Sequence, residues 1–104
     1  MRVVYLANYT PAAMRGLIAG SDRAAAVQAM VAEVGGKLVS VMFTRGEYDA
    51  VITVDLPDRN AAVAGTMAVL ASGSLTRLKM LEELDMAAIL PLARKAAATF
   101  KPAG

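Results

Sequence analysis

Thr44-Arg45-Gly46-Glu47-Tyr48-Asp49 separates two apolar runs, Lys37-Leu38-Val39-Ser40-Val41-Met42-Phe43 and Ala50-Val51-Ile52-Thr53-Val54-Asp55-Leu56. In the first run Val39, Val41 and Phe43 alternate with Leu38, Ser40 and Met42. In the second, Ile52, Val54 and Leu56 alternate with Val51, Thr53 and Asp55. A period of two marks strands. The polar corner between them is short enough for an antiparallel hairpin, and Gly46 supplies backbone angles that other residues resist. The same corner gathers ionisable side chains beside an aromatic, so it is also the first place to look for function.

Upstream, Arg2 to Tyr9 is rich in Val, Tyr and Leu and apolar on both faces, which predicts a central strand. Thr10-Pro11 then opens a short helix to Ile18, because a Thr oxygen can cap free amides and Pro needs no N–H at the first position. Gly20 ends that helix. Ser21 is expected to cap a longer one through Val34, whose stripe Val27, Met30, Val31 and Val34 faces a core. Downstream, Asp58 caps a helix to about Ser72 that has almost no polar face and therefore predicts neighbours on more than one side. Ser74 to Leu84 reads as a fourth strand, with Leu78 and Met80 on one face and Arg77 and Lys79 on the other. Asp85 caps a last helix to Phe100, in which Pro91 predicts a kink or break before Leu92. Lys101 to Gly104 should fray.

Strand, helix, strand, strand, helix, strand with an extra C-terminal helix is an α+β, ferredoxin-like βαββαβ pattern. It places the first and third strands in the centre of a four-stranded antiparallel sheet, with helices on one face. Residues 1–104 are expected to form one such domain. The other sheet face would be bare in a monomer. A bare face of this composition predicts packing on another copy, with Thr53, Asp55, Arg77 and Lys79 as polar members or rim.

Composition narrows the chemistry. The chain is 57% hydrophobic and 19% charged, which is apolar for so short a soluble protein and again favours self-association. Its 11 basic and 9 acidic residues give a net charge of +2, and the cations are scattered rather than gathered into a phosphate-tracking stripe. With no aromatics on Val51-Ile52-Thr53-Val54, nucleic-acid binding is not expected. Cys and His are absent, which removes disulfides, thiol nucleophiles, Cys/His zinc sites and imidazole bases. No cofactor or metal site is expected. The N-terminus lacks a signal-peptide pattern and no apolar run approaches a bilayer span, so the expectation is a cytoplasmic protein without a membrane partner.

With these elements placed, the chain resembles the GYD-domain family of small bacterial and archaeal proteins. The Gly, Tyr and Asp of its name correspond to Gly46, Tyr48 and Asp49. The resemblance also runs through Asn8-Tyr9-Thr10, Ser21-Asp22-Arg23-Ala24, Glu33-Val34-Gly35-Gly36-Lys37 and Pro57-Asp58, with Pro91 as a departure. It implies a ferredoxin-like oligomer and carries over no catalytic residues. A looser similarity is to dimeric α/β-barrel proteins, which include both small oxygenases and silent binding proteins.

Two readings of the corner stay open at this point. In the structural one, Gly46 makes the turn, Asp49 accepts backbone N–H bonds or pairs with Arg45, and Tyr48 packs over the sheet edge. In the functional one, Tyr48, Asp49 and Glu47 are proton-transfer candidates and Arg45 orients an anionic ligand, with Tyr5, Asn8 and Tyr9 lining a pocket. The corresponding protein is a non-catalytic, oligomeric small-ligand or regulatory module with its pocket near the corner, between the sheet and a partner subunit. The alternatives are a cofactor-independent enzyme acting on a compact organic substrate, disfavoured by the absence of His, and a structural assembly unit.

Overall fold

The computed structural model describes residues 1–103. In chain order the elements are β1 (Arg2–Tyr9), α1 (Pro11–Ile18), α2 (Arg23–Glu33), β2 (Lys37–Phe43), β3 (Ala50–Asp55), α3 (Arg59–Ala71), β4 (Leu75–Glu82) and α4 (Met86–Thr99). The strands form one antiparallel sheet in the order β2-β3-β1-β4, which is the expected ferredoxin-like arrangement with β1 and β3 central.

Alternation decides which residues meet the helices. Val3, Tyr5 and Ala7 pair with Val54, Ile52 and Ala50, and this face carries the core. Val31 of α2 and Ala61 and Ala62 of α3 close over it. Each large aliphatic side chain so buried contributes about 1.5–3 kcal/mol. The opposite face presents Val4, Leu6, Val51, Met42 and Leu81, ringed by Arg2, Lys37, Thr53, Asp55, Arg77 and Lys79. Thr53, Asp55, Arg77 and Lys79 therefore lie on the open face, as the pattern predicts.

Three local expectations are corrected. Ser21 does not cap α2. Its N–H closes the end of α1 on the Gly16 carbonyl at 2.9 Å, beside a Gly20 N–H bond to Leu17. That 6→1 and 5→2 pair terminates α1 and leaves Asp22 to cap α2, accepting from the Ala25 N–H at 3.0 Å. In β2, the register slips between Leu38 and Ser40, so Val39 is an extra residue and the alternation changes phase. Leu38, Val41 and Phe43 then share the helix-side face, rather than Val39, Val41 and Phe43. Finally, α4 runs unbroken through Pro91. The missing N–H leaves only the Ala87 carbonyl without its helical donor, on a helix with no buried residue.

The tail residues Lys101–Ala103 form no helix or strand, and Gly104 lies outside the described residues. Not one residue of α4 is buried. The helix stands off the body as an arm, and the molecule measures 58 × 32 × 22 Å with a radius of gyration of 17.5 Å. A rounded chain of this length would give about 13 Å. No described helix is long and apolar enough to cross a membrane.

Candidate functional site

The hairpin corner is built from its backbone outward. Gly46 takes φ = +133°, a value side-chain-bearing residues rarely adopt, and the ends of the corner are tied by the Thr44 N–H to the Asp49 carbonyl at 2.9 Å. The Thr44 hydroxyl donates to the Tyr48 carbonyl at 2.6 Å. Asp49 then joins the hairpin to β1: its N–H donates to the Ala7 carbonyl at 2.9 Å, and its carboxylate accepts from the Tyr9 N–H at 2.9 Å.

A second set of contacts reaches across from β4. Arg77 lies over the Tyr48 ring, 4.7 Å from its centre, and its Nη2 reaches the Glu47 carboxylate at 3.4 Å. Asn8 sits between them, its amide donating to the Glu47 carbonyl at 3.0 Å and its Oδ1 accepting from Arg77 Nε at 3.2 Å. Glu47, Tyr48, Asp49 and Asn8 are thus brought together, and Arg77 is the member of the cluster that edge-strand alternation alone did not reveal. Arg45 is exposed and forms no ion pair among the described residues. Tyr5 is separated from this group, because it lies on the helix-side face while Asn8 lies on the open one. The expectation that Tyr5 and Asn8 line one pocket is corrected by that alternation.

The cavity lies elsewhere, between α2 and α3 over the central strands, with a volume of about 260 Å³. Val27, Met30, Ile52, Val54 and Val69 wall it, with Tyr5, Tyr9, Arg23, Thr66, Ser72 and Ser74 as its polar members. Gly65 faces Met30 of α2, where a Cβ would stand 3.4 Å from the sulfur, at ordinary contact distance. The Tyr5 hydroxyl lies 3.2 Å from the Ala62 carbonyl and 3.3 Å from the Thr66 hydroxyl, which itself donates to Ala62 at 2.9 Å. Arg23 donates through Nε to Ser21 and has no carboxylate partner among the described residues. Burial pushes the Tyr9 phenol above its ordinary 10.0; Arg23 opposes the shift and Asp49 adds to it. The sequence marks Tyr5 and Tyr9 as pocket candidates, but that the gap above them lies between α2 and α3 is not legible there, since it depends on helix spacing.

On the open face, Arg2 and Asp55 form a two-pronged pair, Nε to Oδ1 at 2.9 Å and Nη2 to Oδ2 at 3.0 Å. The hydrogen bond from Arg2 holds the Asp55 carboxyl below its ordinary 3.8. The search of curated proteins finds no match for the chain. Residues 4–92, which run from β1 through the hairpin corner and into α4, match the GYD domain, and the chain belongs to that family.

Proposed function

We propose that the chain is a non-catalytic, oligomeric module that binds a small, mainly apolar molecule bearing one acidic group, in the cavity between α2 and α3. The observation that carries this reading is the composition of the cavity. Its volume of about 260 Å³ suits roughly nine water-sized groups. Its lining residues include no carboxylate, lysine, histidine or cysteine, and a single cation, Arg23. Apolar walls supply affinity and one unpaired guanidinium selects an anion.

Binding rather than catalysis follows from the protons. The Tyr5 and Thr66 hydroxyls are spent on each other and on the Ala62 carbonyl, and burial keeps the Tyr9 phenol neutral. No base is left within the cavity to take a proton from a ligand. The corner carboxylates lie outside its lining, and Asp49 is already an acceptor for the Tyr9 N–H. Oligomerisation is proposed through the open sheet face, where Val4, Leu6 and Val51 are partly exposed and Met42 and Leu81 more than half exposed, with no described helix of the chain covering them.

The test is calorimetric titration with octanoate and, in parallel, octanol. Octanoate should bind about tenfold more tightly, the worth of one charge-assisted hydrogen bond. Arg23→Ala should erase the difference, and Val27→Phe should abolish both by filling the cavity. Bound octanoate should also move the Tyr9 titration to higher pH, because its carboxylate offsets the field of Arg23, with ultraviolet absorbance as the readout. Failure of both compounds to bind the unmodified protein would overturn the reading.

A further inference from the structure

Two sets of apolar side chains on the helices are covered by nothing among the described residues. On α3, Val63, Met67 and Leu70 recur at four- and three-residue spacing and are all exposed, Met67 at 66%. They lie away from Ala61, Ala62 and Gly65, the residues by which α3 meets the core. On α4, Met86, Ile89 and Leu90 recur at helical spacing on one face and are exposed, with Leu92 on a flank and Phe100 just beyond the helix at 77%. The three residues Glu83, Leu84 and Asp85 that join β4 to α4 leave the arm directed off the body, with none of its residues buried.

We infer that α4 is an exchange arm that packs on the α3 stripe of a second copy of this chain, while the partner's arm packs reciprocally on the first. Area favours this occupant. The large apolar side chains of the two helices are 37–77% exposed, and covering both sets on each protomer supplies contact on the scale that a stable interface of about 800 Å² per partner requires. A reciprocal exchange is closed by a two-fold axis, so it buries both stripes on both chains and leaves no free end for further growth. Charge does not oppose it: α3 carries no charged side chain after Arg59, and α4 carries only Arg94 and Lys95. Those two cations with Lys101 fall short of the about four to eight that hold a helix on an anionic lipid surface. The inference concerns faces distinct from the open sheet face and from the α2–α3 cavity.

The absence of cysteine makes the test direct. Met67→Cys and Leu90→Cys chains, both changed at exposed positions, are co-expressed and treated with a flexible bis-maleimide. A covalent dimer containing one chain of each kind, in excess of like-with-like dimers, is the expected result. A Met67→Cys/Leu90→Cys chain that instead links within itself would show the arm folding back on its own α3 and would overturn the inference. So would a lack of any mixed dimer, including the case in which the chain stays monomeric and sediments with anionic phosphatidylserine vesicles. As a second reading, Met67→Glu should weaken association at least tenfold while leaving the unfolding midpoint of the dissociated chain unchanged, since Met67 is no part of the core. Unchanged association would count against the exchange.

Discussion

Asp49, the Asp of the family's name, is engaged by hydrogen bonds within the fold. Its carboxylate accepts the N–H of Tyr9 at the end of β1, where the pairing of β1 with β4 shifts register between Asn8 and Tyr9. A half-buried N–H next to such an irregularity has few other acceptors, so the bond to a charged group carries more than an average one. Asp49→Ala should cost about 1–2 kcal/mol in urea unfolding, whereas Asp49→Asn, which keeps an oxygen in place, should cost less. Both should leave octanoate binding intact, because Asp49 is outside the cavity lining. If Asp49→Asn abolished binding at unchanged stability, the corner would have to be read as part of the ligand site. Gly46 and Tyr48 are likewise engaged, one by its backbone angle and the other beneath Arg77.

Among the elements, the hairpin and the strand order were legible because alternation, turn chemistry and capping residues all act locally. Thr10, Asp58 and Asp85 cap their helices as their types and positions predict. What stayed hidden depends on neighbours. Ser21 was taken up by the end of α1, the extra residue Val39 shifted the phase of β2, and Arg77 reached the corner only through the pairing of Asn8 with β4. The cavity was not legible either, since Val27 and Met30 form the same apolar stripe whether or not α3 closes fully on them. The unbroken course of α4 through Pro91 belongs here too. On an arm free of core contacts nothing offsets the missing hydrogen bond, so Pro91→Ala should stabilise α4 locally by about 1–3 kcal/mol. Slower amide hydrogen exchange confined to Met86–Thr99 is the expected readout, and unchanged exchange there would mean that partner contacts already fix the helix.

At the scale of the whole molecule, the proposed sheet-face packing depends on the charge balance around an apolar centre. Arg2, Lys37, Arg77 and Lys79 share the open face with one strand carboxylate, Asp55, and Arg77 is partly answered by Glu47 at the corner. Stacking two such faces brings like charges together, so Asp55 has a disproportionate share in making the contact tolerable. Because Arg2 lowers the folded-state pKa of Asp55 below 3.8, its stabilising contribution is fully present above that pH and is lost as pH falls through the depressed value. Association through this face should therefore persist across neutral and mildly acidic pH and fall away below about pH 4. Asp55→Asn isolates the effect by removing the charge at neutral pH. Sedimentation velocity of Asp55→Asn at pH 7 should show a smaller assembly than the unmodified chain, one that still forms the mixed covalent dimer through α3 and α4. An assembly of unchanged size would remove the sheet face from the proposed contacts and leave the arm to hold the copies together.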